Sequence, residues 1–321
     1  MIVSRRGLIK LAGVSSLAAA LQFARSAEAL ATGPVALPFA LSTPVHVEAA
    51  ALKVRDLDAM IAYYRQVLGL SVLIRDADAA TLGAGNTALL HLERRPGAAL
   101  EAPGAAGLFH IAYLMPTRQD LARWLVHAAM IQVPVDGFAD HHVSEAIYLT
   151  DPEGNGIEVY SDRPKERWEW RDGLVTMGTA ELDIDGIVAL ADRTRDTYSQ
   201  APEALRIGHI HLRVGDVATA RDFYGTLLGL DSTRGNRPDA AFLSSGGYHH
   251  HVAVNSWNSR GAERRNPAET GLDWFSLTVA DETVFDAQTT RLKGAGIGTL
   301  EANTYTADDP WGTRIRLIRS A

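Results

Sequence analysis

The sequence contains no cysteine. Disulfides, thiolate nucleophiles and Cys-ligated zinc or iron–sulfur centres are therefore excluded, and any metal must be held by His and carboxylate. An excess of basic charge is missing too. Lys and Arg total 31 against 38 Asp and Glu, a formal net charge of −7 at pH 7, which argues against nucleic acid as a partner. Long hydrophobic runs are scarce: the apolar stretch from roughly Leu11 to Phe23 is rich in Ala and Ser and falls short of the about 20 residues a membrane span needs. What remains is a globular composition, 46% apolar and 21% charged over 321 residues, a length that predicts two domains with sizeable cores. The chain also holds 11 His, and their positions carry most of the functional information.

The amino terminus reads as an address. Ser4-Arg5-Arg6-Gly7-Leu8-Ile9-Lys10 places twin arginines before a short apolar stretch, and Ala29-Leu30-Ala31 supplies a small-residue cleavage site. Basic region, apolar region and cleavage site together predict a secretory signal over residues 1–31. The paired Arg resembles the twin-arginine type, which is read by a receptor and is not an anchor. The expectation is a periplasmic or secreted protein with no stable membrane anchor after cleavage. Removing residues 1–31 takes away four basic residues and one acidic residue, leaving a mature charge of −10.

The body is a repeat. Val54, Asp56, Leu57, Tyr63-Tyr64 and Leu68-Gly69-Leu70 recur as Val214, Asp216, Val217, Phe223-Tyr224 and Leu228-Gly229-Leu230, at an offset of 160 residues. Such self-similarity precedes any argument about fold. Each copy reads as a strand ending at Val, an Asp helix cap, an amphipathic helix and a Gly where the helix stops. Short strands follow at 79–82 and 88–93 in the first copy and at 240–244 and 250–254 in the second. Two further units open with strands at 109–115 and 274–279 and continue with helices at 121–130 and 284–293. They carry matching turns, Asp151-Pro152-Glu153-Gly154 and Asp309-Pro310-Trp311-Gly312. The chain is thus expected to be α+β, four βαβββ units in series.

Four such units with these landmarks resemble the vicinal-oxygen-chelate superfamily of glyoxalases, fosfomycin-resistance enzymes, bleomycin-binding proteins and extradiol ring-cleaving dioxygenases. The resemblance covers about Val45 to Leu317. It is nearest to the two-domain catechol-2,3-dioxygenase group, on three stretches. These are Val143 to Tyr160, with the following Asp162-Arg163-Pro164; Gly247-Tyr-His-His-His251; and Asn255-Ser-Trp257-Asn258-Ser-Arg260-Gly261. It implies two open half-barrels, with a first domain over 45–160 (modules 1 and 2), a linker over 161–206 and a second domain over 207–321 (modules 3 and 4).

In that superfamily paired modules close around a metal, with ligands from the opening strand of each module and the closing strand of one. The opening-strand position holds Ala49, His110, His209 and Trp274 in modules 1 to 4, and the closing-strand carboxylate Glu158 of module 2 is matched by Arg316 in module 4. Modules 1 and 4 are stripped of ligands. His110, His209 and Glu158 are therefore the implied ligands, and modules 2 and 3 must pair to assemble them. His211, two residues on, points the same way on a strand and competes with His209; the motif alignment favours His209. Two imidazoles and one carboxylate with open positions suit non-haem Fe(II) oxygenases, and Mn(II) could occupy the same ligands.

Ring cleavage needs proton transfer, for which His is suited near neutral pH. The resemblance puts the acid–base role on His250, read as lying on a closing strand with His249 and His251 on its other face. It assigns a substrate- or intermediate-bonding role to Tyr148, and a pocket role, more loosely, to His142 or its neighbour His141. Trp168 and Trp170 either form a lid or pack the linker onto a domain. The implied function is an extradiol, catechol-2,3-type dioxygenase acting on a small aromatic with O2 and Fe(II), with a homo-oligomer possible. A glyoxalase-like lyase or isomerase is the alternative. It usually employs a fourth protein ligand, and the stretch from Tyr248 to Asn255 offers no acid. A non-catalytic binding protein of the same fold is the third reading.

Overall fold

The computed structural model describes residues 37–235 and 237–320; the signal reading of residues 1–31 lies outside them. Four modules follow one another. The first pairs a strand Val45–Val54 and a helix Leu57–Leu68 with strands Ser71–Arg75, Ala79–Ala84 and Thr87–Arg94. The second runs Gly107–Leu114, helix Arg118–Met130, then Gly137–Asp140, Ser144–Thr150 and Gly156–Asp162. The third runs Arg206–Arg213, helix Val217–Arg221, then Asp231–Ser232, Ala240–Ser244 and Val252–Asn255. The fourth runs Gly271–Val279, helix Glu282–Gly294, then Thr299–Glu301, Thr304–Asp308 and Arg314–Arg319.

The first and third helices begin at the Asp caps read from the repeat, while the second and fourth begin at Arg118 and Glu282, slightly ahead of the expected 121 and 284. Asp56 accepts from the Ala59 N–H, Asp216 from Thr219, and Asp281 from Thr283 and Val284, satisfying donors that the first helical turn leaves unpaired. Gly69 and Gly229 end the first and third helices at φ 69° and 71°, a left-handed geometry that favours glycine. The third helix departs from expectation by widening into a π-helical turn over Asp222–Leu227.

Two eight-stranded sheets result. One joins modules 4 and 1, the other modules 3 and 2, and in each the two opening strands run antiparallel down the middle. The pairing expected from the ligand positions is therefore the pairing observed. Contacts between helices follow chain order instead. The Trp124 indole donates to the Val67 carbonyl at 2.8 Å and Gln288 donates to the Leu228 carbonyl at 2.7 Å, tying modules 1 to 2 and 3 to 4. The Tyr64 hydroxyl donates to Asp151 and Tyr224 donates to Asp309, each at 2.9 Å. The repeated Tyr and the repeated Asp turn are thus one device used twice. Apolar residues from all four modules form one core, reaching from Leu52 and Tyr64 to Leu277 and Leu317.

One expectation needs correction here, and one choice left open is decided. The strand read at 250–254 begins only at Val252. Gly246 and Gly247 both take positive φ (64° and 77°), and this turn carries His249 and His250 ahead of the ladder. Trp168 forms no lid: it is buried against Phe39, Tyr248 and His249, and its indole N–H donates to the Arg163 carbonyl at 3.0 Å. The linker packs onto the module 2–3 sheet.

Candidate metal centre

Register explains how distant residues converge. In the module 2–3 sheet His211 lies opposite His110, His209 opposite Ala112, and Ala112 beside Glu158. Side chains directly opposite in a ladder share a face. His110, His209, His211 and Glu158 therefore all point into one concave surface, and Tyr148, paired with Glu158, joins them.

Three of these side chains meet. His110 Nε2 and His209 Nε2 lie 2.9 and 3.1 Å from Glu158 Oε2, and 3.3 Å from each other. All three residues are buried, and His110, Glu158 and His209 are the group whose ligand atoms cluster tightly enough to hold an ion among the described residues. Two ligands set at right angles about 2.1 Å from an ion stand about 3.0 Å apart, so these separations fit one face of a coordination sphere. The electrostatics agree. Burial raises the Glu158 pKa, but the His209 and His110 rings outweigh it and hold the group well below the ordinary carboxylate range. Burial lowers the His209 pKa to about 4 against the pull of Glu158. An anionic carboxylate and a neutral imidazole are the protonation states metal ligation requires.

His211 is engaged elsewhere. The Asn255 side-chain amide donates to its Nε2 at 3.0 Å, and Asn255 Oδ1 accepts from the Trp257 backbone N–H. This is the role the Asn255–Trp257 stretch lacked at the level of sequence.

Symmetry within the sheet also shows what is missing. Ala253 lies beside His211 just as Glu158 lies beside Ala112, so the position related to the carboxylate carries a methyl group. The module 1–4 sheet is more thoroughly altered. There Ala49 and Trp274 replace the two His, Arg316 replaces the carboxylate, and the Arg316 guanidinium sits 3.9 Å over the Trp274 ring while His91 packs 5.0 Å away. A cation–π stack fills the place of a centre.

Two hydrogen-bond chains approach the cluster. The first includes Tyr148, whose hydroxyl lies 2.6 Å from His141 Nε2, while His141 Nδ1 lies 2.7 Å from the Gly178 carbonyl. A carbonyl only accepts, so the His141 proton sits on Nδ1 and the Tyr148 hydroxyl donates to Nε2. Burial first, then the Glu158 charge, push the Tyr148 pKa well above its usual range, so the hydroxyl keeps its proton. The second chain runs from Asp162. Asp162 accepts from His249 Nε2–H at 2.9 Å, and His249 Nδ1 lies 2.8 Å from His250 Nδ1. His249 must then accept through Nδ1, His250 donates through Nδ1, and His250 Nε2 is left with a free lone pair. The His250 ring stands 4.1 Å from that of His209, and burial holds its pKa well below the usual imidazole range.

A cavity of about 550 Å³ opens over the cluster, a size suited to a small-molecule site. His110, Glu158, His209, His250, Tyr148 and His141 all line it. His142 does not, which corrects that expectation. Its backbone turns left-handed at φ 70°, its N–H donates to Asp140, and its ring lies against Gly178 beside a separate surface depression. One residue of a tight turn thus reverses the side chain, leaving His141 inside. Sequence reading also overlooked Phe109, Phe138 and Phe242, the linker residues Met177 and Gly178, and Arg234. Phe242 was detectable from strand alternation; Phe109, next to His110, is unpaired at a register shift against the Arg206–Arg213 strand, and it, the linker and Arg234 offered no such signal.

An eight-stranded half-barrel assembled from two βαβββ modules, with a His₂–carboxylate cluster in its hollow, defines a metalloenzyme of the vicinal-oxygen-chelate type. The chain belongs to the Glyoxalase/Bleomycin resistance protein/Dioxygenase superfamily, whose family model matches residues 44–159 and 206–317. It is 38% identical over 275 residues to the catechol-2,3-dioxygenase of Bacillus subtilis (strain 168), covering 83% of this chain and 94% of that one. Among solved structures, glyoxalase I from Zea mays superposes with a TM-score of 0.52 at 18% identity, covering 88% of this chain and 94% of that one. The cppA protein of Streptococcus pneumoniae TIGR4 gives 0.54 at 11% identity, covering 86% of this chain and 99% of that one. At these identities the two structures establish the fold alone.

Proposed function

We propose that this enzyme is an extradiol dioxygenase that cleaves the ring of a catechol-like aromatic with O2, using Fe(II) held by His110, His209 and Glu158. Mn(II) suits the same N/O ligand set. The observation that carries the reading is Ala253 at the position related to Glu158. Three protein ligands on one face leave open positions for both substrate oxygens and O2, whereas a four-ligand lyase site would need a donor where this methyl group stands. The 38% identical catechol-2,3-dioxygenase supports the same choice. When bound, the iron would supply the meeting point of substrate and O2 and a path for electrons between them.

The protein's own groups serve the protons. His250, neutral and held with Nε2 unprotonated, accepts a proton from a catechol hydroxyl and returns it as the ring opens. Tyr148 donates to His141, so its oxygen lone pairs face the cavity and receive a hydrogen bond from the second substrate hydroxyl. Phe109, Phe138 and Phe242 provide an apolar wall that shields the reacting ring from water.

The test is anaerobic reconstitution with Fe(II), addition of catechols and admission of air. A coloured ring-fission product is expected; no product from any of a panel of catechols, with iron confirmed bound, would sink the reading. Metal analysis should show His209→Ala devoid of iron and His211→Ala still loaded.

A further inference from the structure

The cavity wall carries a cation that neither the metal cluster nor the proton chains use. Four of its lining residues are charged: Asp136, Glu158, Arg234 and Arg237. Three of them are matched. Glu158 belongs to the metal cluster. The Asp136 carboxylate accepts from the Thr150 hydroxyl at 2.6 Å. Arg237 makes a bidentate pair with Asp239, both bonds 3.0 Å, and Asp239 also accepts from the Trp257 indole. Arg234 stands apart. It is half-buried, and its guanidinium forms no ion pair or hydrogen bond among the described residues. Its contact is with the Phe242 face, 5.1 Å from the ring centroid. Phe242 in turn packs 5.2 Å from His250, edge to face, so Arg234 and the proton-transfer histidine both contact one aromatic ring.

A partly desolvated guanidinium without a counter-ion is costly. Burial and the Arg237 charge work against its own charge, and the Asp239 carboxylate, already bonded to Arg237, offsets only part of that. The Phe242 face offsets part of that penalty and fixes the side chain at the cavity wall. A fork of donors on a fixed stem is suited to recognising a carboxylate through two parallel hydrogen bonds.

We propose that the substrate is an anionic catechol, carrying a carboxylate on the ring or on a short side chain, and that Arg234 is the residue that selects it. The proposal rests on the dioxygenase reading, in which catechol oxygens lie at the His110–Glu158–His209 cluster beside His250. A ring held there shares one cavity with Phe242 and the guanidinium that rests on it. Neutral catechols would then enter the same pocket with an unpaired cation left in the wall.

Binding separates this inference from the chemistry. With Fe(II)-loaded protein under anaerobic conditions, 3,4-dihydroxyphenylacetate and its isosteric amide are titrated calorimetrically. Wild type should bind the acid at least tenfold more tightly than the amide. In Arg234→Gln that ratio should fall to near one, and Arg234→Lys, which keeps the charge without the fork, should retain part of it. Equal affinity for acid and amide in wild type, or an unchanged ratio in Arg234→Gln, would overturn the proposal. Admitting air to the same samples tests the other reading. Failure to cleave either ligand would reject the dioxygenase while the affinity ratio still decides the role of Arg234.

Discussion

At the scale of single residues, neighbours that never touch the metal set the protonation of those that face the cavity. Asp162 determines which His249 nitrogen carries the proton, and His249 in turn sets His250. Asp162→Asn should therefore leave metal content unchanged while lowering kcat about a hundredfold, the lower end of a general acid–base contribution. A pH–rate profile of the same shape and height as wild type would contradict the chain. His251 shows the reverse use of burial. Its ring is fully hydrogen-bonded as the neutral form, donating to the Ala40 carbonyl and accepting from the Ser245 N–H, and burial drives its pKa down to about 3. The unfolded chain, with a pKa near 6.5, binds this proton more readily than the fold does. The associated stability is complete above pH 6.5 and lost as pH falls toward 3, at about 1.4 kcal/mol per pH unit. Denaturant titrations between pH 6 and 4 should show a slope shallower by about one proton in His251→Gln.

Elements owe their ends to a few residues legible in the sequence. The helix caps at Asp56 and Asp216 and the stops at Gly69 and Gly229 lie where a repeat at 160-residue spacing puts them. Gly69 needs its missing side chain twice over. Its φ is 69°, and a Cβ there would stand 2.5 Å from the Ala201 N in the linker. Gly97 has φ 80° but open space around its Cβ position. Gly97→Ala should cost about 1–2 kcal/mol for the left-handed conformation, and Gly69→Ala clearly more; equal losses in thermal or denaturant unfolding would show that the close approach to the linker carries no energy. The His249–His251 run was misread for a local reason. Alternation describes side chains within a ladder, and the two positive-φ glycines before the run lift it out of the ladder. The same limit applies to His141 and His142, which a left-handed turn sends in opposite directions.

Across the whole molecule the helices follow chain order, and the sheets do not. Modules 1 and 2 touch through their helices, yet module 2 shares its sheet with module 3. The cluster thereby joins His110 and Glu158 to His209, 51 residues beyond Glu158 in the chain. Metal bound there links two separately encoded modules and is absent from the unfolded chain, so it should stabilise the entire fold. At a thousand times its Kd the expected gain is about 4 kcal/mol. Removal by chelation should lower Tm by several degrees in wild type and leave His209→Ala unmoved; an equal fall in both would mean the metal acts elsewhere.

The sequence alone determined the four-module plan, the caps and stops of the repeated helices, and the strand positions at which His110, His209 and Glu158 cluster. Those depend on local periodicity, capping and the recurrence of landmarks, all of which survive in one dimension. The absence of cysteine narrowed the ligand set to His and carboxylate, and the emptied positions Ala49, Trp274 and Arg316 showed which modules had to pair. Tertiary structure alone decided the rest. It brought Asp162 to His249, Gly178 to His141 and Arg234 to Phe242, pairs separated by 87, 37 and 8 residues. Such contacts are set by sheet register and by the turn geometry of loops. Neither leaves a period in the sequence, because each hydrogen bond needs only one donor and one acceptor in the right place.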